Sequence, residues 1–187
     1  NESCNIFFYN VAENTDIQTI NKYATLLGLG QKTGVELPET SGRLDDPEYR
    51  ASINQEWMPG FTLQNAIGNG GSMFSPVQLV NYCSTIANGG TRYRAHLVKN
   101  IRNPQTGEMV YEAQPEVISK LNISPENLKA VLAGMRNVTE LGTASDVFTD
   151  FNIAVGGKTG TAEVSKGSDN ALFVGFAPFD SPQIAVC

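Results

Sequence analysis

A lysine between glycines stands near the end of the chain, in the run Gly156-Gly157-Lys158-Thr159-Gly160-Thr161-Ala162-Glu163. Apolar residues 153–155 lead into it, and a second apolar run, 171–176, follows the turn-forming residues 165–170, which predicts a β-hairpin. Glycine weakens the interior of a strand, so Gly160 is expected where a ligand or another backbone approaches closely. A lysine charge beside strand N–H groups could bind a carboxylate and stabilise an oxyanion. The run therefore predicts one wall of an active site.

Two other interpretations of this run are open. An edge strand can carry a lysine simply because the charge prevents aggregation. Gly157-Lys158-Thr159 also ends like a phosphate-binding loop, but the earlier glycine that such a loop requires falls at Asn152. That substitution disfavours a nucleotide-binding protein.

Composition narrows the chemistry further. The chain has 187 residues, of which 41% are hydrophobic, enough for one substantial core. Its net charge of −6 without a basic run disfavours nucleic-acid binding. The three cysteines, Cys4, Cys83 and Cys187, lack the spacing of a disulfide framework or a metal site. With His96 as the single histidine, a serine–histidine–aspartate triad has one candidate base at most, which favours lysine as the proton carrier.

Helix signals fill the chain before this run. Cap residues and prolines predict helix starts at Asp16, Ser75-Pro76 and Ser124-Pro125. Residues 6–12 are apolar and aromatic, which predicts a buried helix. Residues 43–57 are polar and are predicted to cross the surface as irregular chain.

Strand signals are concentrated towards the end of the chain. Residues 96–101 and 108–111 predict a hairpin around the turn at 104–107. A second triplet, Lys32-Thr33-Gly34, has no hairpin partner and is predicted to be a turn. Because helices come first and antiparallel strands last, we expect an α+β fold.

The chain resembles the transpeptidase domain of penicillin-binding proteins, in particular the class B, monofunctional, high-molecular-weight kind. The active site of that family combines S-x-x-K, S-D-N or its variants, and K-T-G. Lys158-Thr159-Gly160 looks like the third motif, and Ser3-Cys4-Asn5 looks like the second. Similarity continues through residues 28–38, 66–78 and 171–178. The resemblance implies a transpeptidase fold like that of serine β-lactamases, an antiparallel sheet with helices, in incomplete form.

The S-x-N pattern occurs three times, beginning at Ser3, Ser52 and Ser168. In the family this motif precedes the lysine strand by a long stretch and leads into an aromatic helix. Ser3 meets both conditions, since it lies 155 positions before Lys158. Ser168-Asp169-Asn170 follows Lys158 in a predicted turn, where these residue types are expected for backbone reasons. Helix capping is the alternative role for Ser3.

No serine in the chain is followed three positions later by a lysine. The resemblance therefore implies that the acylated serine and its lysine partner lie before residue 1. Residues 1–187 are then expected to be the C-terminal portion of one transpeptidase domain, from the S-x-N motif into a terminal strand at 183–187. The nucleophile and a membrane anchor would be outside the chain, and this fragment alone would be inactive.

In the full-length protein, the resemblance implies a serine-type D,D-transpeptidase. Such an enzyme crosslinks peptidoglycan stem peptides through an acyl-serine intermediate and is acylated by β-lactams. It implies no metal and no cofactor. The motif residues would divide into catalytic positions, Ser3, Asn5 and Lys158, and substrate-binding positions, Thr159, Gly160 and Thr161.

Each motif residue has an implied role. Ser3 would relay protons to and from the leaving or entering nitrogen, and Asn5 would hydrogen-bond the substrate amide. Lys158 would set the positive potential. Thr159 and Thr161 would bind the terminal carboxylate through their hydroxyls, and the N–H of Thr161 would complete the oxyanion hole.

Two alternative functions remain open, because related proteins share these motifs. One alternative is another penicillin-recognising serine hydrolase or sensor, such as a carboxypeptidase, a β-lactamase or a receptor domain. The long spacing from Ser3 to Lys158 favours the large transpeptidases over compact β-lactamases. A second alternative is a non-catalytic muropeptide-binding module. Expected partners are stem peptides, β-lactams, a glycosyltransferase and the N-terminal part of the domain, on the extracytoplasmic side of the membrane in cell-wall synthesis and cell-shape maintenance.

Overall fold

The computed structural model describes residues 2–164 and 167–187. These residues form seven helices and seven strands. The helices are α1 Asn5–Glu13, α2 Ile17–Leu26, α3 Pro47–Ser52, α4 Pro59–Ala66, α5 Pro76–Ala87, α6 Pro125–Glu140 and α7 Ser145–Phe148. The strands are β1 Thr91–Tyr93, β2 Asn100–Arg102, β3 Met109–Glu112, β4 Val117–Lys120, β5 Gly156–Ala162, β6 Asn170–Ala177 and β7 Ile184–Val186. The α+β prediction is confirmed.

Side-chain caps start α2, α5 and α6, the three helices whose starts the sequence predicts. Asp16 accepts a hydrogen bond from the N–H of Thr19 at the start of α2. Ser75 and Gln78 form a reciprocal capping box at the start of α5. Ser124 accepts from the N–H of Asn127 at the start of α6. These helix starts depend on local chemistry, which is why they can be read from the sequence.

The central sheet has the strand order β5-β6-β7, with both pairs antiparallel. The hairpin of β5 and β6 confirms the prediction, and Lys158 lies opposite Val174. Two residues of the predicted turn, Ser165 and Lys166, lie outside the described residues. Because β5 pairs only with β6 among the described strands, its other edge is open.

The core fixes this sheet against two helices. Cys83 of α5 and Met135 of α6 pack with Val174 and Phe176 of β6, and all four are buried. Contacts between α6 and β5 further anchor the lysine strand. The principal hydrophobic cluster therefore packs α5 and α6 against the sheet that carries Lys158.

The structure corrects the predicted environment of α1. Residues 6–12 are helical as expected, but only Ala12 is buried. The side chains of Ile6 and Phe7 are 71% and 61% exposed. The prediction of a buried helix is therefore wrong for the described part of the chain, in which no element covers this face.

Residues 43–57 are also more ordered than predicted. They contain helix α3, which begins after Asp46, whose carboxylate accepts from the N–H of Tyr49. Asp45 is fully buried rather than on the surface, and it pairs with Arg50 at 2.6 Å. The polar composition here reflects an internal network instead of a solvent-exposed crossing.

The remaining predictions are confirmed in outline. Strands β2 and β3 form the expected hairpin, with Ile101 opposite Tyr111, but residues 96–99 are not in a strand. Strands β1 and β4 pair antiparallel and were not predicted, and neither was α7. The triplet Lys32-Thr33-Gly34 lies in a loop, in which Glu39 accepts hydrogen bonds from Thr33 and Gly34. None of the described helices combines the length and apolar character needed to cross a membrane.

Candidate active site

The side chain of Lys158 joins two distant parts of the chain. It lies on the edge strand β5, half-buried, and its Nζ donates a hydrogen bond to Ser3 Oγ at 2.6 Å. The two residues are 155 positions apart. A second bond from Nζ, to the carbonyl oxygen of Thr159 at 2.6 Å, holds the ammonium group at the strand edge. The structure thus brings together the S-x-N and K-T-G motifs.

Ser3 has a backbone conformation suited to a site residue and not to a helix cap. Its φ of 50° lies in the left-handed region, which is uncommon for residues other than glycine and is concentrated at functional sites. The N-cap of α1 is Cys4, and no side chain caps this helix. The capping role considered for Ser3 is therefore not observed, and its hydroxyl is directed to Lys158 instead.

A cleft of ≈ 400 Å³ lies along the open edge of β5. All six residues that the sequence singles out line it, together with four that were not singled out as site residues. The lining residues are Ser3, Asn5, Ile67, Asn69, Thr143, Lys158, Thr159, Gly160, Thr161 and Glu163. A larger cleft of ≈ 690 Å³ adjoins it, and the two share Asn5, Ile67, Asn69 and Glu163.

Lys158 contributes a positive charge to the cleft, and the carboxylate of Glu163 also lines it. Burial lowers the pKa of Lys158, since removal from water disfavours the charged form. Both of its close acceptors, the Ser3 hydroxyl and the Thr159 carbonyl, are neutral. No carboxylate of the described residues lies within salt-bridge distance of Lys158. A ligand carboxylate would therefore gain an attraction that the chain itself does not satisfy.

Glycine occurs in β5 for two different physical reasons. A β-carbon at Gly156 would lie 2.6 Å from the ring of Phe176, and one at Gly157 would collide with the ring of Phe173. These two positions are glycine because aromatic side chains occupy the space. At Gly160 an added β-carbon would meet only Leu172 Cβ, at the ordinary distance of 3.7 Å. The fold does not require glycine there, but a ligand along the strand edge would.

Thr143 also lines the cleft, although its sequence context predicts only a connection between elements. Its hydroxyl oxygen lies 2.8 Å from that of Thr159, inside the cleft. The connection is anchored on both sides, because Ala144 is buried and Thr139 donates to the carbonyl of Val155 at 2.6 Å. The Gly-Thr-Ala composition alone carried no signal of this contact.

Ile67 and Asn69 reach the cleft from the loop after α4, and a buried carboxylate holds this loop. Asp45 accepts from the N–H of Gly71 at 2.9 Å and from Asn65 at 3.1 Å, besides its two bonds with Arg50. Burial alone would raise the pKa of Asp45, but the hydrogen bonds from Arg50, Gly71 and Asn65 outweigh it and leave the pKa lowered. The network fixes the loop that brings Ile67 and Asn69 to the cleft.

The competing motif copies lie elsewhere. Ser52 ends α3 and donates to the carbonyl of Tyr49 at 2.6 Å. Ser168 is exposed beside β6, and Asp169 accepts from the N–H of Val164 at 3.3 Å, as in a turn. Neither serine lines the cleft, and neither does Lys32. Across the described ranges, no group of three or more His, Cys, Asp or Glu side chains could hold a metal ion.

Comparison with known proteins gives a consistent result. The family model described as the penicillin binding protein transpeptidase domain matches residues 1–187. The peptidoglycan D,D-transpeptidase MrdA of Acinetobacter baumannii is 31% identical over 203 residues, which cover 98% of this chain and 30% of MrdA. The chain spans less than a third of the length of the first curated relatives that it matches.

Solved structures agree in fold. Pseudomonas aeruginosa PBP2, in complex with WCK 5153, superposes with a TM-score of 0.83 at 34% identity, covering 97% of this chain and 41% of that one. Helicobacter pylori PBP2, in a complex with MreC, gives a TM-score of 0.83 at 29% identity, covering 99% of this chain and 34% of that one.

Proposed function

The chain belongs to the penicillin-binding protein transpeptidase family, and from this we propose that it supplies the substrate-binding side of a serine-type peptidoglycan D,D-transpeptidase. The full-length protein would crosslink stem peptides through an acyl-serine intermediate and would be acylated by β-lactams. One observation carries the proposal. Lys158 Nζ lies 2.6 Å from Ser3 Oγ at the open edge of a strand that lines a cleft.

The nucleophile belongs to polypeptide outside residues 1–187 on this proposal. The chain contains no S-x-x-K sequence, so none of its serines has the lysine partner that the family uses. Residues 1–187 would therefore be one portion of a transpeptidase domain that another portion completes. The cleft beside Ser3 and Lys158 would be where the two portions meet.

The acylation step assigns a role to each group near Lys158. The external serine oxygen attacks the carbonyl between the two terminal D-alanines, the C–N bond breaks, and D-alanine leaves with a proton on its nitrogen. Ser3 would pass that proton, and the hydrogen bond from Lys158 to its Oγ supports this role. Asn5 lines the same cleft and would bind the substrate amide. In the second step an acceptor amine attacks the acyl carbonyl, the C–O bond to the external serine breaks, and the proton lost by the amine returns through Ser3 to the serine oxygen.

The strand edge would bind the two charged parts of the reacting substrate. The hydroxyls of Thr159 and Thr161 would bind the terminal carboxylate near the Lys158 ammonium. The N–H of Thr161 and that of the external serine would stabilise the oxyanion of the tetrahedral intermediate. One such donor contributes on the order of 3 kcal/mol in comparable acyl transfer.

The proposal extends to location and partners. Because stem peptides are the substrate, we place the domain on the extracytoplasmic side of the bacterial membrane, anchored by a segment outside this chain. A glycosyltransferase that makes the glycan strands is the expected functional partner, together with the rest of the transpeptidase domain. The Helicobacter pylori relative was solved in a complex with MreC, which supports a role for this class of protein in a larger assembly.

Mass mapping after exposure to a labelled penicillin tests the proposal. The full-length protein should carry one adduct, on a serine outside residues 1–187 that is followed three positions later by lysine. No adduct on a folded protein would overturn the transpeptidase assignment and favour a non-catalytic muropeptide-binding module. Rapid loss of the adduct by hydrolysis would instead favour a carboxypeptidase or β-lactamase.

A further inference from the structure

Thr143 lies in the cleft although no motif includes it. It belongs to the connection between α6 and α7, and its hydroxyl oxygen is 2.8 Å from that of Thr159. Both residues line the cleft beside Lys158. The distance alone allows either hydroxyl to donate the hydrogen bond.

The hydroxyl of Thr159 has one proton and two acceptor lone pairs. Lys158 Nζ lies 3.5 Å from this oxygen, and an ammonium group can only donate. A ligand carboxylate in the cleft, in contrast, can only accept. If the single proton of Thr159 points to a carboxylate, it is not available to Thr143. Thr143 must then be the donor in their bond.

We infer that Thr143 is a positioning residue for carboxylate recognition, which donates its proton to Thr159 and so directs the Thr159 proton towards the ligand. Donation to an oxygen also strengthens the bond that its own proton makes, because linked hydrogen bonds polarise one another. The inference rests on the proposed function, in which Thr159 binds the terminal carboxylate of the acyl donor.

The surrounding structure fixes the positions of the Thr143 and Thr159 hydroxyls. Ala144, next to Thr143, is buried, and the N–H of Ala144 donates to the carbonyl of Val138 in α6 at 3.0 Å. Thr139 bonds the carbonyl of Val155 just before β5. The connection and the strand are thus tied to the same helix, which keeps the two hydroxyls in register without the ligand.

The test compares a penicillin that has its carboxylate with one that lacks the charge. Full-length protein is reacted with benzylpenicillin and with its methyl ester, and the second-order acylation constants are measured by mass spectrometry. Thr143→Val should lower the acid-to-ester ratio about tenfold, the effect expected for one hydrogen bond in a charged site. Thr143→Ser, which keeps the hydroxyl, should restore the ratio.

A matched control is available nearby. Thr149 is exposed, lies outside the cleft, and donates its hydroxyl to the carbonyl of Ser145 at 3.0 Å. Thr149→Val should keep the wild-type ratio. If Thr143→Val also keeps that ratio, or slows acid and ester by the same factor, Thr143 only supports the loop and the inference is overturned. A wild-type protein that shows no acylation would overturn the proposed function itself, whereas one that is acylated without preference for the acid would overturn carboxylate binding by Thr159 and with it the inference.

Discussion

Lys158 is the residue on which the proposed chemistry depends most directly. Its ammonium group is held by the Ser3 hydroxyl and the Thr159 carbonyl, and no described carboxylate neutralises it. The positive charge is therefore available to a ligand, while burial makes the proton easier to release than that of a solvent-exposed lysine. Both properties follow from its position on an edge strand beside Ser3.

Replacement of Lys158 by alanine should slow acylation of the full-length protein by penicillin at least about 100-fold, because both charge and proton transfer are lost. Unfolding by urea should change little, since the side chain contributes little to the hydrophobic core. Lys32→Ala is the matched control, because Lys32 belongs to the other Lys-Thr-Gly triplet, is exposed and lies outside the cleft. An unchanged acylation constant in Lys158→Ala would remove this residue from the mechanism.

Gly160 tests the space beside the strand. An added β-carbon there meets only Leu172 Cβ, at 3.7 Å, so Gly160→Val should fold normally. It should still reduce acylation by about 100-fold or more, because a substrate docked along the edge of β5 would occupy the same space. Gly134→Val in α6, where the added β-carbon meets no atom within 4 Å, serves as the control. If Gly160→Val were acylated at the wild-type rate, substrate could not lie along this edge.

Part of the site was predictable residue by residue. The order of the motifs along the chain selected Ser3 over the other two S-x-N copies, and the structure places Ser3 against Lys158. Thr143, Ile67 and Asn69 were not predicted. They reach the cleft from connections between helices and strands. The positions of these connections depend on tertiary packing, which leaves no local pattern in the sequence.

At the scale of elements, the Asp45 network positions the loop that brings Ile67 and Asn69 to the cleft. Asp45 is fully buried and bonds Arg50, Asn65 and the backbone of Gly71. It thereby connects α3, α4 and the loop at 67–72. Removing one member of a buried ion pair leaves the other charge uncompensated and destabilises the fold. A substitution at Asp45 therefore measures how strongly these elements depend on the network.

Asp45→Asn should lower the free energy of unfolding by about 3 kcal/mol, because the part-buried Arg50 loses its fully buried counter-charge. Urea unfolding of the full-length protein measures the change, and Asp150→Asn at an exposed position is the control. Since the folded pKa of Asp45 is lowered, its contribution is complete above the ordinary aspartate pKa and is lost as the pH falls through the folded value. An equal stability of the two variants at neutral pH would contradict this role.

The same network explains why the elements were only partly predictable. Helices α2, α5 and α6 begin with a side-chain cap, a local signal that the sequence displays. Helix α3 carries the same local signal, because Asp46 caps it and Pro47 follows, but its polar composition favoured a prediction of irregular surface chain. Strands β1 and β4 have three and four residues, too few for a period of two to stand out, and their pairing is set by tertiary contacts.

At the scale of the whole molecule, helix α1 presents an apolar surface beside the cleft. The exposed fractions are 71% for Ile6, 61% for Phe7, 41% for Phe8 and 44% for Val11. Soluble proteins rarely leave a large contiguous apolar patch uncovered. Because α1 begins two residues after Ser3, a polypeptide that covers this face would also stand next to Ser3 and Lys158. We expect the part of the domain that carries the nucleophile to do so.

Oxidative footprinting of the full-length protein checks this expectation. Phe7 should be modified by hydroxyl radicals as slowly as Phe176, which is 1% exposed in the core. In a polypeptide limited to residues 1–187, Phe7 should react much faster than Phe176, since the covering surface is missing. Equally rapid modification of Phe7 in both proteins would show that the nucleophile approaches the cleft from another side.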